Sequence, residues 1–461
     1  MSTIEPTLPA GTVPHDMRAA VLDEHGLRIE RIPVPAPQRD EALVRVTACG
    51  VCHSDLHVLK GEIGFPRPAV LGHEVSGTVV ALGTGTTTEA VAIGDRVVGA
   101  FIMPCNTCVE CARGRDDLCL RFFGLNRVEG SLYDGTSRLA RADGTRLAMY
   151  SMGGLAEYAV VPVSGLARVP DELDLASAAV LGCAVMTGFG AVRRGGGVRV
   201  GESVAVIGIG GVGTSIVQVA RAVGAEPIIA VDVNTEKLDL AIELGAHAAV
   251  NARESDPVEA VRALGGDGVD VVFEALGSPR TFAQGLDMIR DGGRLVAVGL
   301  AATGQTAPVE ITRLVRRSQR VIGSYGARTR ADLPEVVRLA ASGAIDLDRV
   351  VTDSYGLDDL EAAFAALKPG MTEIEVAGLI DDFYLANGAT TVFCSVCFGP
   401  NGAFPHHHTG ATPLKPGAAV LIDTGCRLNG YPSDMTRVGY CGSAPEGFAE
   451  IHAIVDQAVE A

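Results

Sequence analysis

Hydrophobic and polar positions change rhythm three times along the chain. From about Met17 to Val163, short runs alternate apolar and polar residues, as in Ala42–Ala48 (ALVRVTA) and Ser76–Ala81 (SGTVVA). Clusters of Gly, Pro and Asp separate them. Alternation over a few residues, bounded by turn formers, predicts half-buried strands. From about Gly201 the apolar runs become nearly continuous: SVAVIGI, PIIAVDV, AAV, VDVVFEA and RLVAVGL. Such runs suit strands covered on both faces. Helical stretches over 213–223, 235–244, 257–264 and 281–289 fall between them, and two more run from Thr329 to near Leu367. This succession predicts βαβ units and a parallel sheet. After Leu367 the text changes again. KPGMTEIEVAGLIDDFYLANGA has helical spacing, FCSVCFG and AAVLIDTGCRLNGY predict strands, and 446–460 predicts a last helix. Thr372–Leu379 reads either as the start of a helix capped by Thr372 or as a strand that completes the β-rich part.

Composition narrows the class. The 461 residues allow about three domains. Apolar residues at 47% and charged residues at 20% exclude a disordered, collagenous or coiled-coil chain. The 57 Gly are not periodic, so they mark turns and close backbone approaches. Net charge is −17, of which −6 falls within 368–461, so no nucleic-acid or anionic-membrane surface is expected. The N-terminus lacks the pattern of a signal peptide. The most apolar long stretch, Ser203 to Ala220, is broken by four Gly and reads as strand and turn, not as a membrane span. The expected compartment is the cytoplasm, where the eleven Cys serve as thiols or metal ligands.

Three motifs carry chemistry. Cys105, Cys108, Cys111 and Cys119 place four thiolates on one short stretch. Zn²⁺ takes tetrahedral thiolate sites, and close spacing lets a single loop wrap the ion. The alternatives are an iron–sulfur cluster, whose bacterial run has a shorter last spacing and a following Pro, and unliganded thiols. Cys52, His53, Asp55, His57, His73, Glu74 and Cys183 are scattered, and each alone is as easily a core residue. Together they offer a thiolate–imidazole–thiolate set with an open position, which suits a catalytic zinc. Gly208, Gly210, Gly211 and Gly213 form G-x-G-x-x-G after a strand and before a helix. Asp232 ends the next strand, 24 residues after Gly208. In that setting the glycines let a dinucleotide pyrophosphate approach the helix N-terminus. Asp232 accepts from ribose hydroxyls and repels a 2′-phosphate, which favours NAD over NADP. Lys237, early in the next helix, joins the cofactor-binding candidates.

These residues resemble a known family. Residues 17–367 look like a zinc-dependent alcohol dehydrogenase of the medium-chain dehydrogenase/reductase superfamily. The resemblance implies an α/β chain: a GroES-like, β-rich catalytic domain over 1–183, completed by 327–367, and a Rossmann domain over 184–326. It places the catalytic zinc on Cys52, His73 and Cys183, with Glu74 beside it, and the structural zinc on the four-Cys run. It makes Ser54 and His57 the proton relay, Asp55 the acid orienting His73, and His53 a pyrophosphate contact. The implied cofactors are two zinc ions per chain and NAD. The implied reaction is reversible hydride transfer between a small-molecule alcohol and NAD, giving an aldehyde or ketone. A homodimer or homotetramer is implied as well. GSLYDGTSRL resembles the class III-like branch that includes thiol-dependent formaldehyde dehydrogenases.

Residues 368–461 resemble the pita-bread metallopeptidases, the prolidase, Xaa-Pro aminopeptidase and creatinase group. That resemblance implies an incomplete α+β fragment. It puts two metal carboxylates on Asp423 and Asp434 and a substrate contact on His406. The later His and two Glu of a dinuclear site do not occur before the chain stops, so an inactive appendage is expected. A peptidase-related fusion and a non-catalytic chimera are the alternative readings.

Overall fold

The computed structural model describes residues 13–61, 63–301, 304–351, 354–359, 376, 377, 380, 390–398, 409, 412, 418–428, 431–432 and 435–440. The chain forms two compact units, Met1–Phe364 and Ala365–Ala461.

The first part of unit one is β-rich, as the alternating pattern requires. One five-stranded sheet has the order Gly26–Pro33, Asp16–Asp23, Ala69–Val70, Arg146–Met149 and Leu139–Ala140. The other has the order Leu166–Arg168, Arg96–Gly99, Glu74–Leu82, Glu41–Gly50 and Tyr158–Pro162. Met17, Val44, Val75, Val97 and Val160 belong to the buried core of this part. The sulfur-bearing Cys111, Cys119 and Cys183 pack into the same core. Both cysteine groups are therefore set against one rigid body.

The second part is a six-stranded parallel sheet. Its order is Ala248–Asn251, Ile228–Asp232, Val204–Ile207, Val269–Glu274, Ile289–Ala297 and Arg320–Gly323. The strand order reverses on either side of Val204–Ile207, so a crevice opens at its carboxyl end. The central strands are apolar throughout because both faces are covered. Val204, Val206, Ala230 and Phe273 pack on one side, and Ala205, Ile207, Val231 and Val272 on the other. Local signals set the helix starts. Asp256 accepts from the amides of Val258 and Glu259 at 2.8 and 3.0 Å, and Pro257 opens that helix. The fingerprint helix runs Gly211–Ala222, starting two residues before the sequence pattern suggests.

The helix Ile311–Arg316 and the edge strand Arg320–Gly323 were not anticipated. The edge strand is mostly exposed, so it lacks the continuous apolar run that marks its neighbours. Thr329–Ala341 then returns to the β-rich part, where Thr329 Oγ1 donates to the carbonyl of Ile102 at 2.6 Å.

Unit two contains an antiparallel sheet of Thr390–Phe398, Ala419–Leu428, Tyr431–Pro432 and Met435–Tyr440. The first two cover the strands expected from FCSVCFG and AAVLIDTGCRLNGY. Asp423 lies on the central strand, opposite Ser395 on one side and Thr436 on the other. Cys394 is half-buried and Cys397 buried. Asp434, His406 and the expected helix over 446–460 lie outside the described residues, as does most of 372–379.

Among the described residues no single helix is long and apolar enough to cross a membrane. A bent pair, Leu175–Gly182 with Ala184–Gly196, has the composition, but Leu181, Val185, Met186 and Phe189 belong to the buried core.

Candidate active site

The helix His53–Lys60 opens immediately after the strand Glu41–Gly50, with Cys52 as its cap. The strand Glu74–Leu82 pairs beside it, with Gly50 opposite Glu74, so Cys52, His73 and Glu74 are brought to one sheet end. Cys183 arrives from the turn that leads into the helix Ala184–Gly190. One ligand atom from each of Cys52, His73, Glu74 and Cys183 lies within 4.8 Å of the other three. Three of the four residues are buried and Cys52 is half-buried.

Asp55 holds this cluster in place. Its carboxylate is fully buried, accepts from the Gly72 amide at 2.9 Å, and approaches His73 Nδ1 at 3.1–3.2 Å. With Nδ1 engaged, Nε2 of His73 is the nitrogen left for a metal. Against the pull of burial, the Asp55 charge keeps the His73 imidazole well above its usual range. The Cys52 thiol is pushed well below the usual range, first by its hydrogen bond with Cys183, while Cys183 is pushed up. Burial, then the Cys52 charge, raises Glu74 to about 8. Two sulfurs and a carboxyl thus compete for protons in a dry site, a conflict that a divalent cation removes. The donor set, two thiolates with imidazole and carboxylate, fits zinc.

The second cluster is built differently. Cys105, Cys108, Cys111 and Cys119 also offer four sulfurs within 4.8 Å of one another. The Cys105 and Cys111 sulfurs are 4.0 Å apart, close to the roughly 3.8 Å edge of a tetrahedron with 2.3 Å zinc–sulfur bonds. Backbone amides point at the sulfurs: Cys105 N at Cys119 Sγ and Cys108 N at Cys105 Sγ, both 3.3 Å, and Phe122 N at Cys119 Sγ, 3.5 Å. Burial opposes ionisation of Cys108, but amide donors from Cys111 and Leu120 bring it to about 6. Cys111 is pushed up, first by burial. This set also fits zinc. Arg330 ties the loop to the helix Thr329–Ala341, pairing with buried Asp116 at 2.6 Å and donating to the Cys111 carbonyl at 2.6 Å.

The glycine turn adjoins the first cluster through the helix Ala184–Gly190, whose Ala184 lies 3.5 Å from where a Cβ on Gly211 would be. Gly208 has φ +91°, and a Cβ on Gly213 would stand 1.9 Å from the Gly208 carbonyl oxygen. A Cβ on Gly210 would meet nothing within 4 Å, so that residue faces open space at the helix start. Asp232 does more than end its strand. It accepts from the amides of Ile209, Val233 and Asn234 at 2.7, 2.7 and 3.0 Å, and so fixes the turn itself. Ser54 Oγ is 3.8 Å from Cys52 Sγ. His53 sits at the start of its helix. Partial desolvation, and the nearby positive groups of His57, Lys237 and Lys60, hold its imidazole below the usual range. Lys237 is exposed on the helix Thr235–Glu243. Among the described residues no others gather as metal-ligand groups.

Two clusters fit for zinc, one against a dinucleotide-type glycine turn, point to a zinc dehydrogenase, and comparison with known proteins agrees. The profile described as "Zinc-binding dehydrogenase" matches residues 211–342, and "Alcohol dehydrogenase GroES-like domain" matches 38–171. The S-(hydroxymethyl)glutathione dehydrogenase of Synechocystis sp. is 36% identical over 362 residues, which is 77% of this chain and 97% of the relative. The chain belongs to the zinc-binding alcohol dehydrogenase family. This alcohol dehydrogenase homologue is an oxidoreductase whose cofactors are zinc and NAD. Its fold matches an alcohol dehydrogenase zinc-binding domain protein from Burkholderia ambifaria, with TM-score 0.72 and 37% identity over 76% of this chain and 95% of that one. Benzyl alcohol dehydrogenase from Acinetobacter calcoaceticus gives TM-score 0.71 and 32% identity, again over 76% and 95%. Residues 358–461 of the dehydrogenase match "Metallopeptidase family M24".

Sequence reasoning missed the surroundings of His73. Phe101 and Tyr150 meet its ring edge-on, with centroids at 6.2 and 5.6 Å. Tyr325 packs on Phe101, and Phe65 on Tyr150. Arg127 lies over the Tyr150 ring. These residues come from five separate segments, and no local spacing marks them.

Proposed function

We propose that the chain oxidises a primary or secondary alcohol with NAD, and reduces the corresponding aldehyde or ketone in reverse. The observation that carries this reading is the largely buried Cys52, His73, Glu74 and Cys183 set, with the Ser54 hydroxyl at its edge and the glycine turn beside it. When bound there, zinc acts as a Lewis acid on the substrate oxygen and NAD accepts hydride. The protein's part is positional. Cys52, His73 and Cys183 hold the metal, and Asp55 fixes the His73 ring. Ser54 accepts the hydroxyl proton, and His57, three residues further along the same helix, passes it toward solvent. Gly208, Gly210, Gly211 and Gly213 admit the pyrophosphate, while His53 offers a ring N–H donor and Lys237 adds positive charge. Asp232 receives ribose hydroxyls and repels a 2′-phosphate. We read 1–183 with 327–367 as the catalytic domain, 184–326 as the dinucleotide domain, and 368–461 as a peptidase-like segment. The cytoplasm suits the free thiols. The open edge Arg320–Gly323, with exposed Ile311, Val315 and Val321 nearby, suits pairing with a second copy.

The test follows NADH absorbance over a panel of alcohols, with and without thiol cofactors, on protein of known zinc content. Alcohol-dependent NAD reduction is expected. Zinc-replete protein that reduces no NAD with any alcohol overturns the reading.

A further inference from the structure

Four consecutive carbonyls lead from Phe101, beside His73, to the first cysteine of the four-cysteine loop, and each accepts from a side-chain hydroxyl. Ser151 Oγ donates to Phe101 at 2.8 Å and Thr329 Oγ1 to Ile102 at 2.6 Å. The Tyr133 hydroxyl donates to Met103, and Ser164 Oγ to Pro104 at 2.6 Å. This stretch lies outside any strand, so its carbonyls have no ladder to satisfy them, and hydroxyls there serve first as structural partners.

The Ser151 rung differs from the other three. Ser151 is fully buried, and its φ is +56°, a region that residues with a Cβ seldom enter. Two contacts hold it there. Its carbonyl accepts from Asn126 Nδ2 at 3.0 Å, and its hydroxyl engages Phe101. Strained backbone of this kind gathers at functional sites. Ser151 also directly follows Tyr150, the second ring set edge-on to His73. One small residue therefore ties together the two rings that meet His73. Phe101 is held at its other end as well, since its amide donates to the Gly182 carbonyl at 3.0 Å, immediately before Cys183. Beyond Phe101, Tyr325 packs edge-on at 5.4 Å and lines a cavity of about 510 Å³.

We propose that Ser151 is a positioning residue of the dehydrogenase site, whose hydroxyl and strained backbone hold the Phe101 and Tyr150 rings in place against His73. The inference rests on the dehydrogenase reading and adds to it a residue that acts only through others. Asp55 anchors the His73 ring at Nδ1, which leaves the ring able to swing about that contact. The two ring edges packed against it oppose the swing. A ligand that swings carries the reacting oxygen with it, and small errors of placement cost rate.

Ser151→Gly removes the hydroxyl and, because Gly accepts positive φ, leaves the chain able to fold. With the alcohol that wild type turns over fastest, kcat is expected to fall about 10-fold, while KM, NAD affinity and zinc content stay within about twofold. Thr329→Val removes the next rung, one residue further from the ring, and serves as the control. It lowers the melting temperature but leaves kcat within about twofold. Hydrogen exchange read by mass spectrometry gives a measure independent of turnover. Ser151→Gly speeds exchange about 10-fold in both the 99–104 and the 147–152 segments, whereas Thr329→Val speeds the first alone. An unchanged kcat in Ser151→Gly, an equal loss in Thr329→Val, or a loss confined to KM or matched by lost zinc overturns the proposal. If no alcohol is turned over, the dehydrogenase reading fails, and exchange alone decides. Both segments loosened together in Ser151→Gly support the clamp, and either one unchanged overturns it.

Discussion

The two four-ligand clusters solve one problem in opposite ways. The Cys105–Cys119 cluster takes all its sulfurs from fifteen consecutive positions, and its first two members, Cys105 and Cys108, are half-exposed. The Cys52 cluster takes its ligands from three regions, up to Cys183, and buries most of them. A loop with little core of its own gains order from a metal that closes it, since structural zinc contributes about 10–16 kcal/mol of apparent binding free energy. A site assembled from a strand end, a strand start and a helix entry is ordered by the fold before any metal arrives. Its burial strengthens each charge and leaves Glu74 and the two thiols in conflict until a cation enters. On the proposed reading the first arrangement serves stability and the second serves chemistry.

Substitutions separate the two. Cys52→Ser has the largest expected effect. Turnover falls about 10³-fold or more, because the Lewis acid loses a ligand. NAD binding, measured by fluorescence titration, persists, because the glycine turn is untouched. Near-wild-type turnover would break the contrast at its root. Ser54→Ala comes next, with kcat lower by about 100-fold and zinc content unchanged, as expected for a proton-accepting group. Loss of metal in that variant would make Ser54 a structural residue. Asp55→Asn is expected to weaken zinc affinity at this site by about 10–100-fold while leaving the four-cysteine site intact, read by competition with a chelator. The smallest effect belongs to Arg330→Ala. Asp116 is buried but Arg330 is 39% exposed, so the pair is partly screened and its loss costs about 1–2 kcal/mol. Thermal melting should drop by a few degrees with turnover per folded enzyme retained. A turnover loss matching that of Ser54→Ala would couple the lobe to chemistry.

The contrast also marks what a sequence discloses. Four Cys on one loop are legible from spacing alone, because the chain between them is too short to go elsewhere. The glycine turn is legible for the same reason, although the three amides held by Asp232 are not. The Cys52 cluster required family resemblance, since nothing local links Cys52 to Cys183. The parallel strands were visible because both faces are buried. The edge strand Arg320–Gly323 was hidden because its residues are mostly exposed. The ring box and Arg127 left no trace in spacing. Arg127 and Tyr325 are 198 positions apart and meet only through tertiary packing.

The central claim is that two clusters hold zinc, one for folding and one for reaction. Metal content by elemental analysis, on wild type, Cys52→Ser and Cys111→Ser in parallel, tests it most directly. The expected values are two zinc ions per chain in wild type and one in each folded variant, with turnover retained only where Cys52 is intact. Wild type that turns over alcohol with fewer than two zinc ions, or Cys52→Ser that keeps both, would contradict it.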